Sequence, residues 1–189
     1  MIGFAIFDTA LGPCGIAWRG DAVIGAALPG TSADATRSFL ERRFPGAEER
    51  PAPEPIRLVI AMIARLLEGE PVDFSAIRLS LDEAAPFERQ VYAAALAIPH
   101  GETRTYGELA RAIGEPGAAR AVGRALGRNP IPIIIPCHRI LAADGRSGGF
   151  SAPGGVSTKM RLLAIERARR GDQPTLFDTL DWEAAPARL

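Results

Sequence analysis

A mixed α/β (α+β) chain, with a small sheet-and-helix first half and a helical second half, is what the 189-residue sequence predicts. Three observations lead there. Short apolar runs separated by Gly and Pro fill the first third, apolar residues recur at helical spacing from residue 86 onward, and composition and charge both change across residues 82–85. These place a first domain over residues 1–82, a second over 86–170 and a tail over 171–189.

Residues 3–9, 15–19 and 22–28 are apolar runs punctuated by Gly12-Pro13 and Gly20-Asp21, the pattern of a small antiparallel meander. A helix is predicted from Ser32 or Asp34 to Arg43, ended by Pro45-Gly46, and residues 48–55 read as a charged, proline-rich loop. Leu58, Ile60, Ala61, Ile63, Ala64 and Leu67 fall at helical spacing within 56–68, and Ile77, Leu79 and Leu81 alternate with polar neighbours as a last strand. Pro86 suits the first turn of a helix through Val91, Tyr92, Ala95 and Leu96 to Ile98. Thr105 with Glu108 three residues later forms a capping box that opens a helix ending at Gly114. Pro116 opens another, closed by Asn129-Pro130. Two short helices across a tight turn read as a helix-turn-helix, or as an ordinary helical hairpin. A last helix is expected to end near Gly171.

Composition narrows the function classes. No apolar run approaches the roughly 20 residues of a membrane span, and the candidate at residues 131–135 is short and contains Pro132. The N-terminus lacks the basic flank of a secretory signal, so a cytoplasmic location is expected, with no membrane partner. Cys14 and Cys137 are the only cysteines, and no Cys-x-x-Cys spacing exists, so neither a metal nor a cofactor is expected. Cys14 reads as a structural thiol. Without heptads or a spare apolar face, a monomer is the expectation. Net charge is zero, yet residues 86–170 hold 13 basic and 6 acidic residues, a net of +7. An anionic partner for that segment, or a solvated arginine-rich surface, would account for the bias.

The predicted helix over 116–128 separates into three stripes. Val122, Leu126 and Ala118, Ala121 and Ala125 form a packing face, and Arg120, Arg124 and Arg128 form a row without acidic partners in the helix. Ala119, Gly123 and Gly127 form a face with almost no side chain. Each interior glycine costs about 1 kcal/mol against alanine, so something bulky is expected close to the backbone. A nucleic-acid groove fits, the narrow minor groove best, and close helix packing is the alternative. Beyond it, Cys137 stands between Pro136 and His138 after a buried apolar run. A histidine beside a thiol promotes the thiolate, the reactive nucleophile, directly or through water. Neighbouring residues do not face each other on a helix or strand, so the backbone must turn at Cys137.

The string Pro136-Cys137-His138-Arg139-Ile140 resembles the active-site signature of the O6-alkylguanine-DNA alkyltransferases, or methylated-DNA–protein-cysteine methyltransferases. Thr105-Tyr106-Gly107-Glu108-Leu109-Ala110, Ala118-Ala119-Arg120-Ala121-Val122-Gly123, Asn129-Pro130, Gly149-Phe150-Ser151 and Leu162-Leu163-Ala164-Ile165-Glu166 extend the likeness over residues 86–167. The resemblance implies repair of duplex DNA bearing O6-alkylguanine, and also O4-alkylthymine, by single, irreversible transfer of the alkyl group to Cys137. It implies that His138 activates Cys137 through a water, Glu166 orients His138 and Asn129 braces the turn. With them, Cys137 is expected below the free-thiol pKa of about 8.5. It further implies that Arg120 fills the stack after base flipping and Tyr106 crowds the phosphate. Thr105, Ala119, Gly123, Arg124, Arg128 and Arg139 are expected at the DNA, and Ser151 and the backbone around Ile140 at the flipped base. Extrusion of the base costs a few kcal/mol and is required, because a thiolate cannot reach O6 inside a duplex. The first half resembles a ribonuclease H-like fold without its catalytic residues.

Ala152-Pro153 departs from the family pattern as a short insertion that bears on pocket width. A binding module without an acceptor cysteine and a Cys-His hydrolase are the competing classes; this chain keeps the cysteine that the first replaces, as Cys137, and the second leaves the arginine row and the glycine stripe unexplained. In the tail, Gln173, Leu176 and Phe177 resemble the Gln-x-x-Leu-Phe peptide by which bacterial repair proteins dock on the sliding clamp, with folding back onto the protein as the alternative.

Overall fold

The meander forms where the alternating runs place it. In the computed structural model, which describes residues 1–143 and 147–169, β1 (Ile2–Phe7), β2 (Cys14–Arg19) and β3 (Ala22–Ala27) pair antiparallel in sequence order. Helix α1 (Ala33–Arg43) starts at Ser32, whose side chain accepts from the Ala35 N–H, and Thr36 Oγ1 ties it to the sheet by donating to the Pro13 carbonyl and accepting from Gly30 N–H, each at 3.0 Å. Two expectations change at the sheet edges. Within the expected 48–55 loop, β4 (Glu48–Glu49) pairs parallel with the open edge of β1. Ile77, Leu79 and Leu81 form no strand; Val23 pairs there through a single bridge to Leu79.

Helix α2 (Glu54–Leu67) carries Pro55 in its first turn, where a missing N–H costs nothing, and buries Ile56, Val59, Ile63, Leu66 and Leu67. Helix α3 (Pro86–Leu96) buries Val91, Tyr92 and Ala95. The capping box is complete: Thr105 N–H donates to Glu108 Oε2 at 2.6 Å and Glu108 N–H donates to Thr105 Oγ1 at 3.1 Å, opening α4 (Tyr106–Ala112). Helix α5 (Ala119–Gly127) begins three residues later than Pro116 suggested, because Gly117 takes a φ of 100° that no helix accommodates. It packs on α3 through buried Val122, Ala125 and Leu126, and the Tyr92 hydroxyl donates to the Ala125 carbonyl at 3.0 Å.

Arg104–Thr105 (β5) and Ile140–Leu141 (β6) form a short parallel pair that the sequence did not suggest. Helix α6 (Gly155–Ile165) ends well before residue 171, since Arg167 takes a φ of 49° and the Ala168 N–H turns back to the Leu163 carbonyl. The two halves meet along β3, where the Ala26 N–H donates to the Pro130 carbonyl at 3.0 Å, and one apolar cluster runs from Leu11 and Trp18 through Tyr92 and Val122 to Leu162. Among the described residues, no helix is long and apolar enough to cross a membrane.

Candidate active site

Cys137 sits where a buried apolar segment is forced to turn. Ile131, Ile133, Ile134 and Ile135 are buried, and Ile133 holds a φ of 75°, a left-handed conformation a β-branched residue adopts only under constraint. Asn129 supplies the constraint: its Nδ2 donates to the Ile135 carbonyl at 2.9 Å and its Oδ1 accepts from Ile131 N–H at 3.0 Å. One 3-10 turn follows over Cys137–Arg139. Successive residues in such a turn diverge by about 120°, so Cys137 lies half-buried on a cavity wall while His138 and Arg139 enter the interior.

There they meet Glu166, at the end of α6. His138 Nε2 is 2.8 Å from Glu166 Oε1, and Arg139 donates Nε to Oε2 at 2.8 Å and Nη2 to Oε1 at 2.9 Å. Burial alone would raise the Glu166 carboxyl, but His138 and Arg139 outweigh it and hold it well below the usual carboxylate range. With Nε2 facing a carboxylate, the imidazole carries its proton there; the buried Nδ1 has no hydrogen-bond partner among the described residues. Arg139 requires a correction. Expected at the DNA, it is buried, forked on one carboxylate and bonded through Nη1 to the Ile98 carbonyl at 2.6 Å. A guanidinium matches both oxygens of a carboxylate, which makes Arg139 a brace for Glu166.

The thiol requires another. Burial pushes Cys137 up; a hydrogen bond with Asn129, the charge of Lys159 and the N–H groups of Cys137 and His138 act downward without overcoming it. The expected depression by His138 and Glu166 is therefore absent from the resting site, because a thiolate here gives up more hydration than the donors return.

Sequence reasoning missed Lys159, the only lysine in the chain. It is fully buried, its Nζ donates to the Ile140 carbonyl, and it stands 5.8 Å from the centre of the Tyr106 ring. Burial lowers its pKa and the nearby Cys137 raises it, leaving it at about 8. The Ile140 carbonyl, part of the backbone stretch expected near the flipped base, is thus engaged by an ammonium. A signal existed: residues 159, 162, 163 and 166 lie at i, i+3, i+4 and i+7, so Lys159 shares the inward stripe of Leu162, Leu163 and Glu166.

In front of the thiol opens a cavity of about 750 Å³, lined by Cys137, Tyr106, Ala119, Arg120, Gly123 and Arg124 among others. Ser151 also borders it, its hydroxyl donating to the Gly127 carbonyl at 3.0 Å. Burial comes first in raising the Tyr106 phenol, with Cys137 adding to it. Thr105 is buried and caps α4. Arg128 parts from the row: it pairs with Glu88 of α3 at 3.2 Å and does not border this cavity. Cys14 is buried in the first half, where burial pushes it to about 11 against a hydrogen bond with Thr9. No group of three or more potential metal ligands occurs among the described residues. Gln173, Leu176 and Phe177 lie outside the described residues.

Residues 86–168 match the family model described as 6-O-methylguanine DNA methyltransferase, DNA binding domain. Over 180 residues the chain is 36% identical to the methylated-DNA–protein-cysteine methyltransferase of Mycobacterium tuberculosis, covering 94% of this chain and 100% of that one. The chain belongs to the methylated-DNA–protein-cysteine methyltransferase family. Within that family, the crystal structure of the M. tuberculosis O6-methylguanine methyltransferase matches with a TM-score of 0.73 at 35% identity, covering 94% of this chain and 100% of that one. The same protein in complex with DNA matches with a TM-score of 0.73 at 34% identity over 87% of this chain and 92% of that one. The methyltransferase of the archaeon Pyrococcus kodakaraensis matches with a TM-score of 0.64 at 29% identity, covering 88% and 99% of the two chains.

Proposed function

We propose that this methyltransferase repairs DNA by moving an alkyl group from O6 of guanine, and from O4 of thymine, onto Cys137 Sγ, once per protein molecule. One observation carries the reading: Cys137 lies on the wall of a cavity shared with Arg120 and the small-residue face of α5, with the buried His138–Glu166 pair behind it. Packing inside the chain does not require glycine on that face. A Cβ at Gly127 would meet nothing within 4 Å, and one at Gly123 only the Tyr106 ring at 3.7 Å. The space suits a nucleic-acid backbone and a minor groove, with α4 and α5 acting as a helix-turn-helix and Arg120 entering the stack. Arg124 is the phosphate contact. The first half, ribonuclease H-like in this reading, walls the site from behind.

In the chemical step, the Cys137 S–H proton passes to His138 Nδ1 through one water, and Glu166 stabilises the imidazolium. The thiolate attacks the alkyl carbon in line, the C–O6 bond breaks and its electron pair goes to the guanine. The proton held by His138 returns to the base, so a thiol and an O-alkyl guanine become a thioether and guanine. Lys159 adds positive charge beside the sulfur while the thiolate exists, and Tyr106 donates a hydrogen bond to the extruded base. A thioether has no route back to a thiol here, which makes the reaction stoichiometric. The chemistry needs a reduced thiol, which a cytoplasmic location maintains, and the protein acts as a monomer. Docking of residues 173–177 on a sliding clamp is proposed as a separate property of the tail.

Duplex DNA carrying a labelled O6-methyl group in tenfold excess tests the reading. Label should move to protein and stop at one group per molecule. Continued release of small labelled product would mean a hydrolase, and tight binding without label transfer a recognition module.

A further inference from the structure

Of the three arginines in the α5 row, only the last is paired. Arg120 and Arg124 border the cavity in front of Cys137 and have no acidic partner among the described residues. Arg128, at the end of the helix, turns instead towards the junction of the two halves, where its Nη1 donates to Glu88 Oε1 at 3.2 Å. The pair borders a different cavity, of about 500 Å³, which Asp82 and Glu83 also line. Resting on the DNA-repair reading above, we infer that Glu88 restrains DNA binding: its carboxylate holds Arg128 away from the phosphates and so keeps the affinity for undamaged duplex low.

The two partners are not held equally. The Glu88 side chain is 16% exposed and that of Arg128 is 74% exposed. The second carboxylate oxygen, Oε2, accepts from the Ala85 N–H at 3.0 Å, which ties Glu88 to the first turn of α3. Helix α3 is in turn locked to α5 by the buried bond from the Tyr92 hydroxyl to the Ala125 carbonyl. The carboxylate therefore stays in place, and the arginine is the part that can leave. An exposed ion pair of this kind is weak, because water competes for both charges and the long side chain loses freedom. A DNA phosphate offers the guanidinium the same forked acceptor and releases a counterion as it binds. Phosphate and carboxylate thus compete for one side chain. Phosphate contacts carry no base information, so the restraint acts on any duplex. Its main effect falls on undamaged DNA, which makes up nearly all the sites a repair protein meets. A looser hold there leaves the protein free to move on to the next site.

The test titrates the full chain with an undamaged duplex at several salt concentrations. Glu88→Gln removes the charge and keeps an acceptor for the Ala85 N–H, so the start of α3 is preserved. Its affinity at low salt should exceed that of wild type by about three- to tenfold, and the slope of log affinity against log salt should steepen by about 0.9, the value of one added phosphate contact. Adding Arg128→Ala to Glu88→Gln should cancel most of the gain and all of the added slope, which a merely structural effect of Glu88 would not do. Affinity and slope unmoved by Glu88→Gln overturn the inference alone, and so does a gain of the same size in the double variant. A wild type that binds no duplex at low salt overturns the DNA-repair reading and this inference with it.

Discussion

Glu166→Gln tests the buried support of the active site. The substitution keeps the shape of the side chain but removes the charge that holds His138 Nε2 and the Nε and Nη2 groups of Arg139. Glu166 is 3% exposed, so no water replaces the lost carboxylate. Breaking a buried ion pair from one side costs about 3–5 kcal/mol, because the remaining charge is left uncompensated. Glutamine retains one acceptor oxygen, so the loss at neutral pH falls at the lower end. The dependence on pH has a definite sign. A carboxyl held low in the folded chain stabilises it fully above its unfolded value of about 4.3, and that stabilisation is lost as pH falls towards the folded value. Wild type and variant should therefore differ by a constant amount from about pH 7 to pH 5 and converge at lower pH. Urea unfolding, followed by the fluorescence of buried Trp18, measures the gap at each pH. Single-turnover methyl transfer at neutral pH should fall by about tenfold or more in the variant, as for loss of a positioned base, with DNA affinity retained. A gap that is absent at neutral pH, or that persists unchanged into acid, would refute the role given to the carboxylate.

Three further outcomes follow from the same geometry. Lys159→Met should slow methyl transfer by about tenfold, through loss of a charge beside the sulfur, and should remove the alkaline decline expected of wild type as its ammonium, lowered to about 8 by burial, loses its proton. An unchanged profile would take Lys159 out of the reaction. Arg120→Ala should impair transfer from duplex DNA more than from free O6-benzylguanine, since only the duplex must be opened; equal loss on both would mean a supporting role in the fold. Arg124→Ala should flatten the salt dependence of DNA binding more than Arg128→Ala does, because Arg128 is already paired with Glu88. Equal slopes from titrations at several salt concentrations would contradict that division.

Much of the site was legible because its parts are local. The Thr105–Glu108 capping box, the small-residue stripe of α5 and the Pro136-Cys137-His138 string each sit within a few residues, and turn chemistry or helical period exposes them. The first-half meander was legible for the same reason. What escaped depends on contacts across the chain. Arg139 looked like one more DNA-facing cation because nothing local announces that Glu166, 27 residues away, lies within reach of its fork. The parallel pair of β5 and β6 joins two-residue segments too short to show any period. The late start of α5 turns on the φ of Gly117, while Pro116 alone marked a plausible first turn. Lys159 was legible in principle, as a lone lysine on an apolar stripe, but read singly it resembles any helix cation.

The most direct measurement is the intact mass of the protein before and after incubation with duplex DNA containing one O6-methylguanine, followed by peptide mapping. The account expects the whole population to gain the mass of a single methylene, carried on the peptide containing Cys137, and the Cys137→Ser variant to gain nothing while still binding the duplex. An unchanged mass in wild type, or a methyl group found on Cys14, would contradict it.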